Sequence, residues 1–160
     1  MKKICLLIAV LAFVSCKTEM KDYVTISGKL NHDNPDITQI SNIFIKDRES
    51  SKEILVQADG SFSDTLKVAD GLHYLSDGAD GIFIFLRNGY DLNVSFIGTA
   101  ISQGVKFEGI GAETNNFLEL KRNFFFTKFA NPKYYFGLDQ AEYDATLAEA
   151  KSMIQQYKDL

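Results

Sequence analysis

The sequence lacks tryptophan and contains only two cysteines, two histidines and two prolines among its 160 residues. Both cysteines, Cys5 and Cys16, lie near the N-terminus, so the chain after residue 16 has no thiol for a disulfide, for thiol exchange or for a thiolate metal site. The histidines, His32 and His73, stand far apart and lack the ligand spacing of a zinc site. We therefore predict no metal site and no thiol chemistry after residue 16, and no cofactor.

The first 15 residues have the pattern of a secretory leader. Two lysines follow Met1, an apolar run covers residues 4–14, and the small residue Ser15 precedes Cys16. The run is too short to span a bilayer, which takes about 20 residues. The stretch Phe-Val-Ser-Cys at residues 13–16 resembles a lipobox, the motif of bacterial lipoproteins in which the cysteine is lipidated. We predict a signal peptide at residues 1–15 and lipid attachment at Cys16; an ordinary leader with an incidental Cys16 is the alternative.

The charge balance argues against binding of nucleic acid. The chain has 17 basic and 21 acidic residues, and its formal net charge of −4 falls to −6 without Lys2 and Lys3 of the leader. Affinity for nucleic acid depends on Lys and Arg neutralising phosphates. We therefore expect the partners to be a membrane, reached through lipid at Cys16, and other proteins or ligands. The polar residues 16–22 are predicted to form a tether between lipid and domain.

Apolar and polar residues alternate from residue 23 to residue 111, which is typical of short β-strands. Asp59-Gly60 and Asn88-Gly89 are pairs that favour tight hairpins. The apolar run at 82–86 predicts a strand buried on both faces. The pattern predicts a mainly β fold, an antiparallel β-sandwich-like domain of about eight strands at residues 23–30, 40–46, 53–57, 62–66, 72–75, 82–86, 90–97 and 105–108.

Helical periodicity replaces this alternation in residues 112–160. Phe117, Leu120 and Phe124 recur at helical spacing until Asn131-Pro132. Asp139 with Glu142 three residues later predicts a capping box at the start of a second helix. Its apolar stripe consists of Tyr143, Leu147, Ala150, Ile154 and Tyr157. The pattern continues to Leu160, so we expect a connector cut by the end of the sequence; a natural, frayed C-terminus is the alternative.

No catalytic arrangement emerges from the sequence. Gly109 and Gly111 lack the third glycine of a dinucleotide loop and are interpreted as a bend from sheet to helix. Asp77 and Asp80 lack the spacing of a calcium loop and are interpreted as a solvated turn. We interpret His73 as a packed or surface residue, because a catalytic triad would also need a placed nucleophile, which the sequence alone does not reveal.

One aromatic cluster follows the predicted strands and remains open to two interpretations. Three consecutive phenylalanines cannot all face one side of a helix, and further aromatic residues follow them. Either one or two of them bury against the sheet, or the cluster forms a partner-docking patch. The candidate patch consists of Phe124, Phe125, Phe126, Phe129, Tyr134 and Tyr135.

Four segments carry a resemblance to a known family, residues 26–29, 59–66, 88–92 and 107–117. They resemble the N-terminal region of lipoproteins from diderm bacteria in which a β-rich domain precedes a TlpA-like thioredoxin-fold domain of the AhpC/TSA (redoxin) superfamily. The resemblance implies a thiol–disulfide oxidoreductase whose Cys-x-x-Cys lies in the thioredoxin domain, C-terminal to Leu160. No Cys-x-x-Cys occurs in this sequence, so no catalytic residue is assigned to it.

These observations lead to two functional hypotheses. The first is a non-catalytic, lipid-anchored accessory domain of a thioredoxin-like oxidoreductase in the cell envelope of a diderm bacterium. The second is a stand-alone surface or periplasmic lipoprotein that binds a glycan, a peptide or a protein. The sequence leaves open both the membrane and the leaflet that would hold the lipid.

Overall fold

Eight strands and two helices make up the described part of the protein. The computed structural model describes residues 21–30, 42–98, 100–129 and 136–158, so Cys16 and the leader lie outside it. The strands are β1 (Val24–Lys29), β2 (Asn42–Lys46), β3 (Ser51–Leu55), β4 (Ser61–Leu66), β5 (Gly71–Ser76), β6 (Gly81–Leu86), β7 (Asp91–Phe96) and β8 (Val105–Ile110). The helices are α1 (Ala112–Phe129) and α2 (Gln140–Lys158), and a 3₁₀ turn covers Ile101–Gln103.

The strands form two four-stranded sheets. The first sheet has the order β4-β1-β7-β8 and the second the order β3-β2-β5-β6. A mainly β fold of eight strands followed by two helices was predicted from the sequence, and it is confirmed. Neither helix in the described ranges is long and apolar enough to cross a bilayer.

The core lies between the two sheets and follows the alternation in the sequence. Val24 and Ile26 of β1 and Val94 of β7 are fully buried on the inner face of the first sheet, opposite Ile43 and Ile84 of the second. Gly28 belongs to the same inner face. A Cβ there would lie 2.5 Å from both Phe62 Cζ and the Val94 carbonyl oxygen, so the Phe62 ring packs in the space that a side chain would occupy.

One strand pairing departs from the antiparallel expectation. β1 and β7 are parallel, with Ile26 beside Leu92 and Gly28 beside Val94. Parallel neighbours need a long connection between them, and here the connection contains the whole second sheet and β4. The alternation of residues predicts which side chains point inward, but it contains no information on strand direction.

The two strongest turn signals do not form the predicted hairpins. Gly60 and Gly89 adopt positive φ angles of 82° and 90°, as tight turns require. However, the first turn joins β3 to β4 and the second joins β6 to β7, and each pair is divided between the two sheets. The consecutive strands that do pair are β2–β3, β5–β6 and β7–β8. The hairpin prediction was wrong because turn residues specify a local bend and not the sheet that the next strand joins.

The expectation that residues 82–86 are buried on both faces was also wrong. Ile82, Ile84 and Leu86 point into the core, but Phe83 is 65% exposed and Phe85 is half-buried. β6 is the edge strand of the second sheet, and its outer face is not covered as it would be in a parallel α/β sheet.

Candidate functional site: the anchored helical pair

The chain enters α1 through two glycines at the end of β8. Gly109 and Gly111 have φ angles of +93° and +92°, which residues with a Cβ rarely adopt. A Cβ at Gly109 would collide with the Asp91 carbonyl, and one at Gly111 would collide with the Tyr90 ring. The interpretation of these glycines as a bend from sheet to helix is confirmed.

Asn115 joins α1 to the edge of the second sheet. Its side chain is almost completely buried, and its Oδ1 accepts a hydrogen bond from the backbone N–H of Phe85 at 2.7 Å. Its amide nitrogen donates to the Phe85 carbonyl at 2.9 Å and to the Gly111 carbonyl at 3.1 Å. Asn115 therefore supplies both bonds that a neighbouring strand would offer to Phe85 on the edge strand β6.

Asn116 makes the same arrangement with the edge of the first sheet. Its Oδ1 accepts from the Phe107 N–H at 2.9 Å, and its amide nitrogen donates to the Phe107 carbonyl at 2.8 Å. Phe107 lies on β8, the edge strand of that sheet. Two consecutive side chains, which we call the asparagine pair, thus connect one helix to both sheets and satisfy backbone groups that would otherwise lack a partner.

An ion pair extends this attachment by one helical turn. Glu119 and Arg122 are in contact through two hydrogen bonds, of 2.9 Å and 2.5 Å. Arg122 Nη1 also donates to the Ser102 carbonyl at 2.6 Å, and the Ser102 N–H donates to Asp80 Oδ2 at 2.8 Å. α1 is therefore connected to the 3₁₀ turn and to the β5–β6 loop as well as to the two sheet edges.

The electrostatics of this network are favourable at neutral pH. Hydrogen bonding to Glu119 raises the pKa of Arg122, against the opposing effect of burial. Burial acts to raise the pKa of Asp80, but hydrogen bonds from Ser102 and Gly81 and the charge of Arg122 outweigh it and lower the pKa. Asp80 and Arg122 are thus both held in their charged forms.

The capping box predicted for the second helix is present at the start of α2. The Asp139 carboxylate accepts from the Glu142 N–H at 2.9 Å, and the Glu142 carboxylate accepts from the Asp139 N–H at 3.0 Å. These reciprocal bonds satisfy two donors that the first turn of a helix leaves without intrahelical partners.

The two helices enclose a cleft of about 500 Å³ beyond the sheets. Thr146 and Met153 of α2 are buried, and Lys128 of α1 forms an ion pair with Glu149 of α2 at 3.3 Å. The cleft is lined by Leu120, Asn123, Phe124, Thr127 and Lys128 from α1 and by Glu149, Ser152, Met153 and Gln156 from α2. We call α1 and α2 together the helical pair.

The consecutive phenylalanines divide between this cleft and the solvent. Phe124 is half-buried and lines the cleft, whereas Phe125 is 49% and Phe126 is 65% exposed. The Arg122 guanidinium lies 5.8 Å from the centre of the Phe126 ring. The side chain of Phe129 and the residues Tyr134 and Tyr135, which were predicted to join the same patch, lie outside the described part of the chain.

The apolar stripe predicted for α2 is also only partly covered. Tyr143 is 39%, Leu147 is 40% and Ile154 is 45% exposed, while Ala150 is half-buried, and the side chain of Tyr157 lies outside the described part of the chain. The helix instead buries Thr146 and Met153, which lie on the neighbouring face. Both helices therefore present large apolar side chains to solvent, and these side chains do not belong to the core between the sheets.

The other polar residues considered from the sequence, His73 and Asp77, are buried in the fold or form a turn. His73 is buried, its Nδ1 lies 3.1 Å from the Gly71 carbonyl, and its Nε2 has no hydrogen-bond partner among the described residues. The Asp77 carboxylate accepts from the N–H groups of Ala79 and Asp80, which closes the β5–β6 turn. Within the described ranges no three His, Cys, Asp or Glu side chains come together as metal ligands would.

The residues that fix the helical pair were not predicted from the sequence. The asparagine pair and the Glu119–Arg122 pair are polar, so apolar periodicity does not reveal them. One signal was available: the polar residues Asn115, Glu119 and Arg122 recur at helical spacing, and Asn116 stands beside the first of them. Adjacent asparagines in the first turns of a helix that follows a strand indicate side chains bonded to backbone groups.

Loss of the asparagine pair should destabilise the protein. We expect Asn115→Ala and Asn116→Ala each to lower the free energy of unfolding by about 1–3 kcal/mol, because each leaves one edge-strand N–H and C=O without its partner. Urea unfolding measures the change. Lys121→Ala, at an exposed position of the same helix, is the control and should cost less than about 0.5 kcal/mol. Equal effects at all three positions would contradict the assigned role.

The Asp80 network should make stability sensitive to acid. The pKa of Asp80 is lower in the folded protein than in the unfolded chain, so its contribution is present above the ordinary aspartate pKa of about 3.9 and is lost as the pH falls through the folded value. The difference in unfolding free energy between the wild type and Asp80→Asn should therefore shrink from neutral pH towards acid. Asp144→Asn, outside the network, controls for the lost charge. A difference that is independent of pH would contradict this account.

Comparisons with known proteins give partial structural matches. No protein-family model and no curated protein match the sequence. A DUF3823 family protein from Bacteroides ovatus ATCC 8483 matches with 20% identity and a TM-score of 0.33, over 45% of this chain and 42% of that chain. A DUF3823 family protein from Parabacteroides merdae ATCC 43184 matches with 15% identity and a TM-score of 0.33, over 47% and 46%. The chain spans less than half the length of these two structures.

Proposed function

We propose that this protein is a lipid-anchored, extracytoplasmic accessory domain of a thioredoxin-like thiol–disulfide oxidoreductase, and that it is not itself catalytic. The observation that carries the proposal is the helical pair: it is fixed to both sheets at one end and exposes large apolar side chains at the other. Such a surface marks an interaction site, because isolated soluble domains rarely expose apolar side chains in groups. In this role the sandwich is a support that sets the direction of the helices.

The sequence adds two lines of support. The leader pattern and Cys16 favour an anchor, and residues 17–22 would span at most about 20 Å when fully extended, which would keep the sandwich close to a bilayer. The lack of cysteine after residue 16 favours an accessory role, since the redox chemistry must then come from another domain. That domain is proposed to be a thioredoxin fold C-terminal to Leu160, docked on the helical pair in a diderm cell envelope.

The anchor is tested by metabolic labelling. In a diderm host given a fatty-acid analogue, the full chain should carry the label and fractionate with membranes, and Cys16→Ser should lose both properties because the sulfur that accepts the lipid is gone. Cys5→Ser, which removes the other cysteine and leaves residues 13–16 intact, is the matched control and should still be labelled. Label that persists in Cys16→Ser would exclude this site of attachment.

The accessory role is tested by reading the gene beyond the codon for Leu160. We expect an open frame that encodes a thioredoxin-fold domain with a Cys-x-x-Cys motif. In that full-length protein, Phe125→Ser with Phe126→Ser should lower the melting temperature of the redox domain, because the docking surface becomes polar. Ile110→Ser, at a residue of β8 that is similarly exposed, is the control. A stop codon directly after Leu160 would contradict the accessory role and leave the stand-alone binding lipoprotein as the remaining candidate.

A further inference from the structure

A second exposed surface lies on the outer face of the second sheet. Three aromatic side chains, Phe44 of β2, Tyr74 of β5 and Phe83 of β6, point away from the core on three adjacent strands. Tyr74 is directly opposite Phe83 in the register, and Leu72 is opposite Phe85 on the same face. We call Phe44, Tyr74 and Phe83 the ring platform. It is separate from the helical pair and independent of the function proposed above.

The rings of the platform are held in position by their neighbours. The Tyr74 ring lies across Gly81, where a Cβ would be only 2.8 Å from Tyr74 Cζ. The centroids of Tyr74 and Phe83 are 5.4 Å apart in an edge-to-face contact. Lys46 Nζ lies 5.0 Å from the centre of the Phe44 ring. A preorganised surface of this kind loses little conformational entropy when a ligand binds.

The small size of the platform favours a contact with a few ligand groups over a protein–protein interface. Neighbouring strands are about 4.8 Å apart, so the platform is only about 10 Å wide. A stable protein–protein interface uses roughly 20–30 residues on each side, far more than this group of rings provides. The rings also lie on a sheet face and not in a groove, so the surface does not match the groove that an amphipathic helix occupies.

The charges around the platform favour a neutral ligand. Lys46 neighbours Tyr74 in the register, and Glu53 neighbours Phe44, so the two flanking charges are of opposite sign. Stacked nucleotides would bring phosphates, and the chain has more acidic than basic residues. We propose that the ring platform binds a neutral glycan. Its sugar rings contact Tyr74 and Phe83 through their C–H groups, and its hydroxyl groups form hydrogen bonds with Lys46 and Glu53.

The experiment is affinity electrophoresis of the full chain in neutral detergent, in native gels that contain xylan, mixed-linkage β-glucan, α-mannan or starch. We expect at least one of these neutral polysaccharides to retard the protein. Tyr74→Ala and Phe83→Ala should each weaken the binding by about tenfold or more, the scale of one lost ring stack. Phe83→Tyr, which keeps a ring at this position, should retain the binding. Ile110→Ala, at an exposed residue of β8 in the other sheet, is the control.

Several results would overturn the proposal. They are an absence of retardation in all four neutral gels, retardation only in a fifth gel that contains anionic polygalacturonate, and equal losses in Ile110→Ala and the ring variants. Self-association that Phe83→Ser abolishes would instead assign the platform to a second copy of the chain. Thermal unfolding of each variant separates lost binding from lost folding. If Tyr74→Ala fails to fold, Phe83→Ala decides the test, because the side chain of Phe83 is largely exposed.

Discussion

Two adjacent asparagine side chains connect the edges of two different sheets through a single helix. Asn115 bonds to both backbone groups of Phe85 on β6, and Asn116 bonds to both backbone groups of Phe107 on β8. An edge strand exposes unpaired N–H and C=O groups that must be paired, covered or left to water. One helix covers part of both edges here, and the direction in which it leaves the sandwich is set by these bonds.

The position of the rest of the helical pair depends on that constraint. The Glu119–Arg122 pair and the contact of Arg122 with the 3₁₀ turn extend the attachment along α1, and α2 then packs against the part of α1 that lies beyond the sheets. The exposed Phe125 and Phe126 are therefore displayed at a fixed place relative to the core. The core between the sheets does not require these exposed rings. We therefore propose the docking function for the helical pair and not for the loops.

The sequence allowed the strands, the two helices and the capping box to be predicted, because each depends on local alternation, periodicity or a four-residue contact. It did not allow the sheet partners to be predicted. Asp59-Gly60 and Asn88-Gly89 make the expected bends, yet each connects one sheet to the other, and this outcome depends on which inward faces meet in the core. The asparagine pair was missed for a similar reason: its partners, Phe85 and Phe107, are 30 and 9 residues away along the chain, so no local pattern contains the contact.

We conclude that α1 is fixed to one edge of each sheet, and hydrogen exchange at two backbone amides tests this most directly. Phe85 N–H and Phe107 N–H lie on the edge strands β6 and β8, and among the described residues they donate to the asparagine side chains. If α1 separated from β6 and β8, these amides would be exposed to solvent. We expect both amides to exchange as slowly as amides bonded within the sheets. Exchange at the rate of an unprotected edge strand would show that α1 is not fixed to the sandwich, and it would contradict the account.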